Sequence, residues 1–175
     1  MKTSFLRRCA FCAVIALLSA CAAYSGSGLK PGVDTIENVV AVMGAPAMRW
    51  DDPDGRVQLA YPRGPAGTQT FMVYIRPDKR LDRIEGVLDT LHFARIENEK
   101  SSQADVLRIL GPSFPGWTAY FERRNELVWE WRFCNDWGQM ARFDALFDAT
   151  TGIVRTTYQR TEYRGPYGAT MSCAH

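Results

Sequence analysis

The chain has 175 residues, 46% apolar and 12% aromatic, with 21 Lys and Arg against 19 Asp and Glu. That is material for one domain or two small ones. The formal excess of +2 sits at the amino terminus, where Lys2, Arg7 and Arg8 fall within residues 1–20 beside no acid. The remainder holds 18 basic against 19 acidic residues, which excludes a nucleic-acid footprint and leaves no basic run to hold an anionic lipid surface.

Residues 1–20 read as an address. A positive stretch is followed by the apolar run Cys9–Leu18 and the small residues Ser19 and Ala20, the order of a signal peptide. The run is about ten residues, half of what a membrane span needs. Leu18-Ser19-Ala20-Cys21 resembles the bacterial lipobox, in which the cysteine is acylated and becomes the new amino terminus; a plain signal peptide with an incidental cysteine is the other reading. Several acyl chains hold a membrane firmly where one does not. Ala22, rather than Asp, follows the cysteine and resembles the outer-membrane sorting pattern. Residues 21–30, with Tyr24-Ser25-Gly26-Ser27-Gly28, read as a lipidated flexible tether.

Beyond the tether one pattern occurs twice. Asp34-Thr35-Ile36-Glu37 reads as a capping box opening a helix, with Ile36, Val39, Val40 and Met43 on one face and Gly44 and Pro46 as its stop. Strands are predicted from the alternation of Val57, Leu59 and Tyr61 and of Phe71, Val73 and Ile75, with Asp54-Gly55 as a hairpin turn. A turn at Pro77–Arg80 leads to a strand from Leu81. Further on, Ser102 with Asp105 caps a second helix that carries Val106, Leu107 and Leu110 and stops at Gly111-Pro112. Leu127, Trp129, Trp131 and Phe133 then alternate, as do Phe143, Ala145 and Phe147, before a turn at Ala149–Gly152 and a strand from Ile153. A tryptophan stands six residues past each stopping glycine, Trp50 and Trp117.

The expected fold is therefore α+β: two tandem repeats, residues 31–96 and 97–163, each of short helices and a three- to four-stranded antiparallel meander. The helices lie on one sheet face and the other face is free. Residues 164–175 form a C-terminal tail. Cys134 ends a strand pattern and Cys173 lies in that tail, so an oxidising compartment allows a disulfide between them, with two unpaired thiols as the alternative.

A short helix, then a helix ending in Leu-Gly-x-Pro-like residues, then a meander resembles the BamE-like (SmpA/OmlA) small outer-membrane assembly lipoproteins. Leu91–Ile96 stands at that family's first short helix and Ser102–Pro112 at its second. Two such units in tandem also resemble the β-lactamase inhibitor protein architecture, whose concave sheet face grips a partner. The likeness spans residues 30–163. It implies a non-enzymatic lipoprotein at the periplasmic face of the outer membrane, assisting envelope integrity or outer-membrane protein assembly through protein contacts. A periplasmic inhibitor or ligand-binding protein of the same fold is the alternative.

Catalytic chemistry is thin. The only histidines are His92 and His175, so no Ser/His/Asp or Cys/His constellation can be built on a rigid scaffold. His92 is expected on a helix surface and Asp51, Asp52 and Asp54 in turns, not in a metal loop. Glu130 and Asp144 fall on neighbouring strands beside Arg132 and Arg142 and read as a cross-strand charge ladder. No metal or cofactor is expected apart from covalent lipid on Cys21, and nothing fixes an oligomeric state. Tyr74, Tyr120, Arg132, Trp137, Arg142 and Tyr158 are the candidate protein-binding residues, since Tyr, Trp and Arg anchor interfaces; Trp50, Trp117, Trp129 and Trp131 are assigned to the core.

Replacing Cys21 by Ser is expected to abolish incorporation of labelled palmitate and to release the chain from the membrane fraction. Labelling that survives the substitution would contradict the lipobox.

Overall fold

A computed structural model describes residues 25–63, 67–164 and 168–173. The stretch read as a signal peptide and Cys21, the expected acylation site, lie outside them. Helix α1 (Ile36–Met43) precedes strands β1 (Met48–Asp51), β2 (Val57–Pro62), β3 (Thr70–Ile75) and β4 (Leu81–Gly86), which form an antiparallel sheet in chain order. The one-turn helix α2 (Thr90–Phe93) and α3 (Gln103–Leu110) lead to a second antiparallel sheet. Its strands, also in chain order, are β5 (Ala119–Phe121), β6 (Glu126–Cys134), β7 (Met140–Asp148) and β8 (Val154–Thr161). A small pair, β9 (Tyr163–Arg164) with β10 (Ala169–Thr170), ends the chain.

The helices form for local reasons. Ser102 caps α3 reciprocally: its hydroxyl accepts from Asp105 N at 3.2 Å, and the Asp105 carboxylate accepts from Ser102 N at 2.8 Å. In α1 the box is shifted by one residue from the Asp34–Glu37 expectation. Thr35 is the N-cap, and Asn38 Oδ1 accepts from its backbone N–H at 2.9 Å. Gly44 and Gly111 end the two helices at φ of 82° and 73°, a region that suits glycine. The Tyr61 hydroxyl donates to Gly44 O at 3.2 Å, and burial pushes that phenol up to about 12.

One face of the first sheet packs Val57, Leu59, Tyr61, Val73, Ile75 and Leu81 against Ile36, Val39 and Met43 of α1. Each such fully buried aliphatic side chain contributes about 1.5–3 kcal/mol of transfer free energy. The opposite face is covered too. Ala60 and Met72 are fully buried with Val87. The buried Gln58 donates to Arg108 O at 2.7 Å, and Arg108 ion-pairs with Asp52. A Cβ on Gly111 would come within 2.9 Å of Thr70 and 3.4 Å of Ala60. The C-terminal end of α3 thus stands on the first sheet, while Val106 and Leu110 of the same helix enter the core of the second. There Phe93 stacks on Phe143 at 4.0 Å and meets Phe133 edge-on at 4.8 Å, above Trp131, Ala145 and Phe147.

These observations overturn the expected fold class. The described chain is mostly β, 42% strand against 18% helix, built as two four-stranded antiparallel sheets with few short helices; it is not a pair of tandem repeats with helices laid over one sheet face. The helices are short, eight residues each in α1 and α3, and the Leu91–Ile96 stretch yields a single turn. The first sheet has no free face of the expected kind, because α1 and the end of α3 cover it from opposite sides.

Of residues 25–30, Ser25, Ser27, Gly28 and Lys30 are exposed. Gly26 is buried at φ 69°, where a Cβ would lie 2.4 Å from Ile84 Cδ1. The tail is also docked: Cys173 bonds to Cys134, with Cα atoms 6.0 Å apart, and Cys173 N donates to Gly138 O at 2.9 Å.

The sequence separation of 39 between the bridged cysteines corresponds to about 3–4 kcal/mol in the chain-entropy account. Cys173→Ser is expected to lower the unfolding free energy by that amount in urea, and reductant should do the same to the parent chain. An unchanged midpoint in both would contradict a stabilising clamp.

Candidate functional site

A groove of about 400 Å³ opens where the two sheets meet. The turn after α3 forms one wall. Its run Gly111-Pro112-Ser113-Phe114-Pro115-Gly116-Trp117 joins two prolines, which fix φ, to two large rings. A 3-10 turn at Pro115–Trp117, closed by Trp117 N donating to Phe114 O at 2.9 Å, sets the rings edge-on with centroids 5.0 Å apart. Gln69, Thr70 and Pro62 of the first sheet form the facing wall. Trp131 contributes its ring to the lining from the second sheet, and its indole N–H donates to Gly111 O at 3.3 Å.

Arg132 lines this groove and also belongs to the outer face of the second sheet. Arg132 and Arg142 are direct register partners on β6 and β7, an arrangement that like charge disfavours. Glu162 resolves it, accepting from Arg132 Nη2 at 2.9 Å and Arg142 Nη2 at 3.2 Å. Arg132 Nε and Glu162 Oε2 are also 2.9 Å apart, without hydrogen-bond alignment. Arg142 and Arg160 both bond to Glu130, and Arg160 Nε donates to Asp144 at 2.9 Å. Three guanidiniums and three carboxylates therefore form one connected ladder. The Trp117 ring lies against two of the cations, 4.5 Å from the Arg142 guanidinium and 5.0 Å from that of Arg132, a favourable contact for each.

Burial pushes the Glu130 carboxyl up; Arg142 pulls it down, Asp144 raises it again, and the net direction is upward. For Glu162 burial also pushes up, but the bonds from Arg142 and Arg132 outweigh it and hold the group below the usual glutamate range.

The candidate residues divide. Arg132, Arg142 and Tyr158 share the outer face, Tyr158 standing opposite Asp144 and 56% exposed. Trp137 is at the tip of the β6–β7 hairpin, 85% exposed, and Tyr120 is on the edge strand β5. Tyr74 is far off on the first sheet, half-buried under the Arg83 guanidinium at 3.8 Å, and burial raises its phenol. These last three do not join the others. Glu130 and Asp144 are opposite each other as a ladder pair. His92 is not on the surface: its side chain is 16% exposed and Nδ1 is 2.7 Å from Asp89. Asp51, Asp52 and Asp54 pair with Arg49, Arg108 and Arg56.

Trp131 is a core residue, 3% exposed, and Trp50 and Trp129 are partly buried against the cores. Trp117, assigned with them to the core, is instead a groove residue. Sequence reasoning missed Phe114, Gln69 and Trp117 as a binding wall. The signal was present in the Pro/Gly/aromatic run of residues 111–117, which has no helix or strand period. No family model, curated protein or solved structure matches this chain.

Glu162, with a depressed folded value, contributes stability that is present above the unfolded glutamate value of about 4.3 and lost as pH falls through the folded one. Glu130 works in the opposite sense: its charged form costs stability above its raised value, and that cost vanishes on acidification. Glu162→Gln is expected to lower stability at neutral pH by about 2–4 kcal/mol, because it leaves two arginines face to face. It should also flatten the acid loss below about pH 5 in urea unfolding, whereas Glu130→Gln should steepen the profile just above the unfolded glutamate value of about 4.3. Parallel profiles for parent and both variants would contradict the ladder.

Proposed function

We propose that this chain is an outer-membrane-anchored lipoprotein on the periplasmic face, a non-enzymatic scaffold that binds other envelope proteins, with the groove between the two sheets as its working surface. The roles open to such a scaffold are outer-membrane protein assembly and envelope integrity. The observation that carries the reading is the groove's lining, where Phe114, Trp117 and Trp131 converge with Arg132. Tyr, Trp and Arg are the side chains that anchor protein interfaces, and a preformed wall spares the ordering cost of binding.

Attachment in this reading rests on the lipobox Leu18-Ser19-Ala20-Cys21. No helix among the described residues is long and apolar enough to cross a membrane. Only three residues separate Cys21 from Ser25, which adjoins the buried Gly26, so the folded body would stand within roughly 14 Å of its anchor.

The acids that could serve in proton transfer support binding rather than turnover. Glu130 and Asp144 are each engaged by arginine, and His92 is tied to Asp89. Neither set faces the groove.

A photocrosslinking residue at Phe114 is expected to trap a defined envelope protein in intact cells, and one at Thr156, on the far strand, is expected not to. The Trp117→Ala change should reduce the Phe114 adduct about tenfold, in keeping with loss of an interface anchor. Equal trapping from both positions, or adducts from Thr156 alone, would move the working surface elsewhere.

A further inference from the structure

We propose that the groove takes a short acidic segment of a partner protein that presents an aromatic side chain. This rests on the reading of the groove as the binding surface. Charge is the first ground. Among the lining residues Arg132 alone carries a formal charge, and none is acidic. Glu162, outside the lining, holds Nε and Nη2 of that guanidinium; a cationic segment therefore finds no free carboxylate in the wall, whereas an anionic one finds the remaining Nη1.

The hydrogen-bonding inventory agrees. Arg132 turns Nε and Nη2 towards Glu162, and its Nη1 makes no hydrogen bond among the described residues. Gln69 spends its carbonyl oxygen on Thr70 N and Leu88 N, both at 3.1 Å, so its amide nitrogen is what remains to offer. The Ser113 hydroxyl also makes no hydrogen bond among the described residues and can donate. Two of the polar groups left over in the wall, Arg132 Nη1 and the Gln69 amide nitrogen, only donate, and the Ser113 hydroxyl can donate as well as accept, so the matching ligand is rich in acceptors: side-chain carboxylates and an extended backbone.

The aromatic requirement comes from the walls. Phe114 and Trp117, in edge contact with each other, line a space of about 400 Å³ with the nearly buried Trp131 behind it, ample for one further ring in an edge or offset contact. Arg132 is held where it stands, since Glu162 grips one side of it and Trp117 lies against its guanidinium. The cation and the ring pocket are thus preorganised side by side, which selects a ligand whose carboxylate and ring are near neighbours.

The test is a titration of the purified full chain, followed by its own tryptophan fluorescence, with peptides that lack tryptophan. Acetyl-Gly-Glu-Phe-Glu-Gly-amide is expected to give a saturable change. The peptide with Lys in place of Glu, and the one with Ala in place of Phe, should each bind about tenfold more weakly. Arg132→Gln should weaken the acidic peptide more than the uncharged Gln version, and Arg132→Lys, which keeps the charge, should restore the preference, which separates a charge role from a merely structural one. The comparison among peptides on the parent chain stands even where a variant fails to fold. Equal binding of the acidic and basic peptides, or no saturable change with any of them, overturns the proposal. So does binding of free 1-naphthoate when no peptide binds, which would make the groove a small-molecule site. Should the crosslink from Phe114 form while every peptide fails, the groove keeps its role and only the acidic, aromatic assignment falls.

Discussion

Two arginines that face each other across neighbouring strands set the terms for the functional half of this molecule. Arg132 and Arg142 are register partners, and a bare pair of like charges there would work against the sheet. The second sheet tolerates them because Glu162 bridges both and Glu130 takes the far side of Arg142. Glu162 follows β8, whose Arg160 reaches the same two acids, Glu130 and Asp144. The ladder therefore ties the residues after the last long strand to the middle of the sheet. Apart from Arg160, whose side chain is 54% exposed, its members are largely buried, so removing one leaves its partners without compensation.

That ladder also places the groove. The cations form a platform for the Trp117 ring, and Trp117 ends the short turn that begins at the stop of α3. The same helix end rests on the first sheet through Gln58 and Gly111. One segment of about ten residues thus touches both sheets and the ladder, and the space it leaves open is the groove. Substitutions that loosen the ladder act on the groove through Trp117, although they lie on the opposite face of the second sheet from the core. The Cys134–Cys173 bridge pins the tail at the hairpin end of the same sheet, away from the groove, and its contribution is to stability.

Much of the local structure was legible in the sequence. The two eight-residue helices, the alternating strands of residues 57–61, 71–75, 127–133 and 143–147, and the cysteine pair are found where apolar period, capping and turn residues put them. What could not be read was which face each element covers. Ala60 and Met72 alternate like solvent-side residues of a half-buried sheet, yet they are fully buried because α3 crosses onto them. That contact joins Gln58 to Arg108, fifty positions apart, and no local period encodes it. The fold class failed on this point, since matching strings in the two halves carried no information about how the halves meet. The site failed for a related reason. Trp117 looks like any core aromatic until the prolines around it and the arginines beneath it are placed together.

The tryptophans supply the most direct measurement. The chain has five; Trp117 and Trp131 line the groove, Trp137 marks the far hairpin tip and Trp50 the first sheet. With 5-fluorotryptophan incorporated throughout, fluorine NMR of the full chain resolves them individually as the crosslinked partner protein is added. Shifts of the Trp117 and Trp131 resonances with Trp50 and Trp137 unmoved are the predicted result. Movement confined to Trp137, with both groove signals still, would contradict the account.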